Sequence, residues 1–273
     1  MAKLTRQEQA QALALRGDTD AAVAALQDLK RGGGDAASAS LAVIAAFRYQ
    51  WSDVLSHAEV IFGAPSCIDT LNVYTDMVQL TARAAASLGN WSDVQDFAKT
   101  ALKKLKGIED NEAHAEAVRR LARLAARKGE GARFTLEDAD ATLAKRQARF
   151  DAALVKLAKE PKKRFKTSAD RLDHLFGLAC VLDYHGGAVQ VFDEERALPN
   201  IFDNVAFAAS ALARVGRTDE AWNAVHTKLP SWWPVEATQI APVVLLADWA
   251  LSEVMTPERC ELVLRCPRGP GAE

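Results

Sequence analysis

The seven residues GNWSDVQ at positions 89–95 nearly repeat the YQWSDVL of positions 49–55, and these two stretches decide the fold. Two looser copies, GDTDAAV at 17–23 and GRTDEAW at 216–222, keep the same order of residue types. In most copies a Gly follows an Ala-rich stretch, and an Asp stands where a second helix would begin. Gly favours the left-handed backbone that ends a helix, and a carboxylate is stabilised at a helix N-terminus. Each stretch is therefore predicted to be the turn between two antiparallel helices.

The residue after each turn is expected to cap the second helix. A Ser or Thr hydroxyl at this position can accept a backbone N–H bond from the first helical turn. The predicted N-cap residues are Thr19, Ser52, Ser92 and Thr218. The rings of Trp51 and Trp91 are predicted to be at least half buried, because a large ring at a turn can pack one helix pair on the next.

Composition favours helices over sheets. The chain contains 52 Ala and 30 Leu, against 26 Val plus Ile. Ala and Leu have high helix propensity, whereas β-branched residues are enriched in strands. We therefore expect an all-α protein with more than about 60% helix, well above the average for globular domains. The stretch Ala188–Leu198 remains ambiguous, since it reads as a short strand or a loop. The preceding Gly186-Gly187 reads as a linker, and His185-Gly186-Gly187 reads alternatively as a further degenerate turn of the repeat.

The spacing of the turns predicts a repeat array. The four turns begin 32, 40 and 127 residues apart, and the last interval equals about three units of 42 residues. The predicted architecture is an α-solenoid, a superhelix of stacked helix pairs, over residues 1–229. Residues 230–273 are predicted to form a C-terminal cap on the last hairpin, because LPSWWP at 229–234 cannot form a regular helix.

These turns resemble the helix-pair repeats of tetratricopeptide proteins over roughly residues 5–228. The usual Pro after the second helix is missing from most units, so the resemblance is to the wider superfamily. The tail, from WWP at 232–234 through QIAPVVLL at 239–246 to CPRG at 266–269, resembles the ending of helical-repeat proteins encoded beside bacterial polymorphic toxins. That second resemblance implies an immunity protein.

Charge is distributed unevenly along the chain. Residues 1–98 carry 7 Lys+Arg and 11 Asp+Glu, residues 99–166 carry 19 and 10, and residues 167–273 carry 8 and 15. The middle segment is therefore basic, with acidic segments on both sides. This pattern fits either ordinary solvated helix faces or a surface polarised for a charged partner.

No catalytic, cofactor or metal motif is present in the sequence. Cys260 and Cys266 lie six residues apart, without the short spacing of a zinc pair. The basic run between Lys156 and Lys166 contains a single aromatic residue, Phe165, whereas single-strand binders add stacking platforms to their charge. The sequence therefore argues against an enzyme, a cofactor and a nucleic-acid partner, and it leaves the role of segment 99–166 open.

The predicted function is binding of another protein, for which the long, rigid concave face of a solenoid is well suited because it lowers the cost of association. Which face binds is not predicted. The leading hypothesis is neutralisation of a toxin domain, and the alternative is a scaffold or adaptor with another protein partner. The candidate partner-binding residues are an acidic run, expected to lie in a projecting loop, and a pair of Trp: Asp193, Glu194, Glu195, Trp232 and Trp233. Trp232 and Trp233 can equally plug the last groove of the solenoid. The oligomeric state is not predicted.

The expected location is the cytoplasm, without membrane contact. Residues 1–17 lack the apolar core of a signal peptide. The longest uncharged apolar run, Leu41–Phe47, is far shorter than the ~20 residues of a membrane span.

Overall fold

The computed structural model describes residues 4–34, 36–63, 71–106, 112–127, 140–159 and 165–269. Every regular element among these residues is helical, and helix accounts for 77% of them, which confirms the predicted all-α class. None of the described helices is both long and apolar enough to cross a bilayer.

The α-helices are α1 (Arg6–Leu15), α2 (Thr19–Arg31), α3 (Ala37–Phe47), α4 (Trp51–Gly63), α5 (Leu71–Leu88), α6 (Trp91–Leu105), α7 (Glu112–Ala126), α8 (Asp140–Lys159), α9 (Ser168–Val181), α10 (His185–Glu195), α11 (Phe202–Arg214), α12 (Thr218–Lys228), α13 (Val244–Ala247), α14 (Trp249–Val254) and α15 (Pro257–Arg265), with a 3-10 turn at Leu229–Ser231.

The turns within the helix pairs share one backbone motif. A residue with positive φ ends the first helix, and the next residue donates its N–H to the carbonyl five positions earlier, as in a Schellman motif. The second helix begins two residues after the positive-φ position. All four predicted turns contain this motif, and a fifth copy joins α9 to α10. The positive-φ residues are Gly17 (83°), Tyr49 (58°), Gly89 (70°), Asp183 (50°) and Gly216 (78°).

The fifth turn corrects the reading of the residues that follow it. Asp183 supplies the turn, and the supposed linker Gly186-Gly187 lies inside α10. The ambiguous stretch after it is helical up to Glu195 and buries Ala188 and Val191. The two glycines are needed for packing, because a Cβ on Gly187 would lie 2.7 Å from the ring of Tyr184.

The predicted N-caps are wrong by one or two positions. A single residue separates each left-handed residue from the next helix, so the helices begin at or before the predicted caps. In the first hairpin the cap is Asp18, whose carboxylate accepts from the Ala21 N–H at 3.3 Å. Thr19 lies inside α2, and its buried hydroxyl donates to the carbonyl of Leu264 at 2.9 Å. The misplaced caps are Thr19, Ser52, Ser92 and Thr218.

The helices belong to two compact units, and the C-terminal tail contributes to both. Unit 1 comprises Met1–Arg133, Trp233–Ala247 and Thr256–Arg268. Unit 2 comprises Phe134–Trp232, Asp248–Met255 and Gly269–Glu273. The residues that we predicted to form one cap, 230–273, are thus divided between the units.

In unit 1, helices α1 to α7 pack on their neighbours in chain order, and the tail adds α13 against α5 and α15 against α3. Helix α3 is consequently buried along its whole length. The predicted burial of both turn Trp side chains is confirmed. Trp91 is 8% exposed, and Trp51 is partly buried, with the Arg83 guanidinium 5.4 Å from its ring.

In unit 2, α9 to α12 form two consecutive helix pairs, with α8 beside α10 and α14 against α11 and α12. Phe150 of α8 reaches the core, where its ring meets the ring of Tyr184 edge-on at 5.6 Å. A Cβ on Gly187 would lie 3.0 Å from the Phe150 ring, so the missing side chain leaves room for that contact.

We predict that Gly187→Ala destabilises the protein by about 1–3 kcal/mol, because the added methyl overpacks the Phe150–Tyr184 contact. Urea unfolding gives the change in free energy. The matched control is Gly63→Ala at the end of α4, where a Cβ would meet nothing within 4 Å; it should be neutral or slightly stabilising, since Ala favours helix over Gly. Equal effects of the two substitutions would contradict the packing explanation.

Candidate partner-binding surface

The two adjacent Trp residues have opposite environments. Trp232 is 8% exposed and Pro234 is buried, whereas Trp233 is 56% exposed and Val235 is 83% exposed. Burial therefore alternates along residues 232–235. The buried neighbours fix the backbone on both sides of the Trp233 ring, and Pro234 also has a fixed φ. The structure thus separates the predicted pair into a buried anchor, Trp232, and an exposed ring, Trp233.

The segment that follows Trp233 is held through its backbone. Five successive carbonyls, those of residues 236–240, each accept a hydrogen bond from a side chain of unit 1. Such donors are needed because a partly buried, non-helical backbone has no helical partners for its polar groups. The bonds are Gln11 Nε2 to the carbonyls of Glu236 (2.6 Å) and Gln239 (2.8 Å), Gln7 Nε2 to Ala237 (3.3 Å), Ser40 Oγ to Thr238 (2.7 Å) and Arg268 Nη2 to Ile240 (2.9 Å).

Arg268 connects the tail with the N-terminal helix. Its side chain is 4% exposed, and its guanidinium donates to the carbonyls of Ala14, Ile240 and Val263. Its backbone N–H donates to the carbonyl of Leu15 at 2.8 Å. Burial lowers the pKa of Arg268 to about 10, so the group still carries its charge at neutral pH.

The tail also covers part of the helical surface of unit 1. In unit 1 the tail covers α1, α3 and α5: residues 236–240 bond to α1 and α3, α15 packs on α3, and Arg83 of α5 donates to the carbonyl of Leu246 at 2.7 Å. The covered sides of these three helices are therefore occupied by contacts within the chain.

The acidic run is helical and largely paired within the chain. Asp193, Glu194 and Glu195 form the last turn of α10, so the expectation of a projecting loop was wrong. Asp193 lies 2.8 Å from Arg217, and Glu195 lies 2.6 Å from Arg171. Glu194 instead accepts a hydrogen bond from the neutral side chain of its own helix neighbour, Gln190. Of the three, Glu194 therefore presents the least compensated charge to a partner.

The Arg217 side chain is organised by several groups of unit 2. It bonds to Glu220 at 2.7 Å as well as to Asp193, and its guanidinium lies 5.4 Å from the Phe192 ring. The hydrogen bonds to the two carboxylates raise the pKa of Arg217 above its usual value, and Arg217 in turn lowers the pKa of Glu220. The end of α10 thus holds a local ion-pair network.

The described thiols and imidazoles show no arrangement typical of a nucleophile with its base. Burial raises the pKa of the Cys260 thiol to about 12, and this thiol hydrogen-bonds with the Tyr49 side chain. His57 contacts Lys30 at 3.2 Å, and burial, reinforced by the Lys30 charge, lowers its pKa to about 4. Among the described residues, no three His, Cys, Asp or Glu side chains converge as ligands for a metal ion.

Sequence reasoning missed the side chains that hold the tail. The available signal was polarity in unexpected places: Gln7 and Gln11 share one face of α1, and Ser40 interrupts the apolar α3. Such residues show that a polar partner exists. They do not show that the partner is a backbone more than 190 positions away in the chain.

Comparison with models of known protein families, with curated proteins and with solved structures finds no match.

We predict that Arg268→Met destabilises the protein by about 3 kcal/mol or more. The substitution removes the donor to three buried carbonyls, and each buried polar group left without a partner costs about 1–3 kcal/mol. The free energy of unfolding in urea measures the effect. Arg265→Met is the control, because Arg265 lies nearby on α15 but is 73% exposed; it should change stability by less than about 0.5 kcal/mol. A loss no larger than that of the control would show that the tail does not depend on Arg268.

Proposed function

We propose that this chain is a protein-binding module, a tetratricopeptide-like solenoid that binds its partner through the surface around Trp233. The exposed Trp233 ring is the observation that carries the proposal. Exposed aromatic rings that bury on association are enriched among interface residues that contribute most of the binding energy. The buried Trp232 and Pro234 hold the backbone on either side of Trp233, so little backbone conformational entropy is lost on binding.

The partner that we propose is a toxin domain, and the chain would act as its immunity protein. The support is the resemblance of the tail to helical-repeat proteins encoded beside polymorphic toxins. This function needs no chemistry, because the inhibitor only has to occupy or distort the working surface of the toxin. An adaptor with another protein partner is the alternative.

Neighbouring genes and co-expression separate these two functions. Under the immunity proposal, a toxin-like reading frame adjacent to this gene encodes a protein that stops growth when expressed alone. Co-expression of the present chain then restores growth, and the two proteins purify together. If the neighbouring protein binds the chain without arresting growth, the adaptor function is supported instead.

With that partner in hand, Trp233→Ala is predicted to weaken binding about 30-fold or more, which corresponds to a hot spot of about 2 kcal/mol or more. Calorimetry or surface plasmon resonance measures the affinity. The control is Val181→Ala in α9, at a side chain that is 85% exposed, and it should leave affinity unchanged. Wild-type affinity of the Trp233 variant would rule out this ring as the anchor.

The acidic end of α10 is proposed to steer a basic toxin surface during encounter. Because Asp193 and Glu195 are paired with Arg217 and Arg171, most of the effect should come from Glu194. Glu194→Gln is predicted to slow association roughly twofold at low salt, with little change at high salt. Glu59→Gln on α4, also exposed, is the control. If stopped-flow rates at low salt are the same for both variants, α10 does not steer association.

A further inference from the structure

Helix α8 carries a line of basic side chains along one side. Lys145, Arg149, Lys156 and Lys159 are separated by four, seven and three residues, so they stay within roughly 80° of one another around the helix. All four side chains are exposed. The line covers about 21 Å of helix, at a rise of 1.5 Å per residue. We call these four residues the α8 stripe.

The opposite side of α8 attaches the helix to unit 2. Phe150 is fully buried against Tyr184, and Arg146 bonds to both the carboxylate and the carbonyl of Asp183 at 3.0 Å. With this side fixed, the α8 stripe faces away from the core. A partner can therefore reach it without any rearrangement of the helix.

The charges of the α8 stripe are not compensated within the described residues, where none of the four forms an ion pair. Asp151, the acidic residue in the middle of α8, lies roughly 120° away from Lys145 around the helix. Attraction to the helix C-terminus accounts for Lys156 and Lys159, which are in the last turns. It does not account for Lys145 and Arg149, which are in the first half.

The side chains between the charges indicate the class of partner. The exposed residues within the stripe include Ala148 and Ala152, which are small and let a partner approach closely. Sites for a protein partner or for a single-stranded nucleic acid normally contain aromatic rings, and the α8 stripe contains none. Binding to a duplex phosphate backbone needs only positive charge at close range.

We propose that the α8 stripe binds the phosphate backbone of a nucleic-acid duplex without reading its base sequence. The sequence argued against nucleic acid because the chain is acidic overall and the basic run lacks aromatics. The structure changes this assessment by showing that other arginines of unit 2, among them Arg146, Arg171 and Arg217, are paired with carboxylates. The four charges of the stripe, by contrast, are aligned and exposed.

Fluorescence anisotropy with a labelled 30-base-pair duplex, over a range of salt concentrations, tests the proposal. The full-length chain should bind most tightly at low salt. The variant Lys145→Gln/Arg149→Gln/Lys156→Gln/Lys159→Gln should bind much more weakly. Its slope of log affinity against log salt should be shallower by about 3–4, since four phosphate contacts are lost.

A variant with the same change in net charge is the control. Lys99→Gln/Lys103→Gln/Lys104→Gln/Lys106→Gln alters four exposed lysines at the end of α6 and should keep the wild-type slope. Circular dichroism and urea unfolding establish that both variants fold. Equal weakening by both variants would mean that net charge, not the stripe, drives binding, and the proposal would fall.

Two competitors determine the class of ligand. A single strand of the same length should compete less well than the duplex, and poly-glutamate should compete poorly. If poly-glutamate competes as well as the duplex, the stripe is a site for an acidic protein and the proposal is wrong. The absence of measurable duplex binding at low salt would also overturn it.

Discussion

The non-helical backbone of residues 236–240 needs hydrogen-bond donors from other parts of the chain, and this need explains most of what is unusual in unit 1. Residues 236–240 cannot satisfy their own carbonyls as a helix does, and packing against unit 1 limits their access to water. Side chains from α1, α3 and the end of the chain provide the donors instead. Because Arg268 also bonds to the carbonyl of Ala14, the first helix and the last residues of the chain depend on each other. The tail is therefore a structural part of unit 1. Its removal would leave the donors on α1 and α3 without their acceptors and would expose the apolar side of the helices that the tail covers.

The helix pairs were predictable because their turns follow a local rule. A Schellman turn needs one residue that tolerates positive φ, and Gly at positions 17, 89 and 216 reveals it directly. The turn at Asp183 was misplaced because a non-Gly residue adopts the left-handed conformation there, while the nearby Gly186-Gly187 attracts attention for a different reason. Those glycines create space for two aromatic rings from distant positions. Steric needs of that kind depend on tertiary packing and have no local signature.

The candidate surface was predictable in part. Sequence alone identified the Trp pair but could not tell that Trp232 is buried while Trp233 is exposed, since this depends on which side of an extended segment meets the core. It identified the acidic run as well, yet it missed that Arg171 and Arg217 pair with two of the three carboxylates. Both pairs join residues 24 positions apart in the chain: Arg171 lies in α9, and Arg217 lies in the turn before α12. Charge counts along a sequence give the composition of a surface, and folding decides which charges remain available.

That distinction bears on how unit 2 can interact with charged molecules. Its ion pairs remove Arg146, Arg171 and Arg217 from the groups available to a partner, together with Asp183, Glu195 and Asp193. The exposed charges outside these pairs include the basic side chains along the outer side of α8 and, at a separate position, Glu194 at the end of α10. A net charge of −2 for the whole chain conceals this separation. Screening over about 8–10 Å at physiological salt makes each site respond mainly to its own nearby charges. Binding of a basic partner at α10 is therefore compatible with binding of an anionic partner at α8 in the same unit.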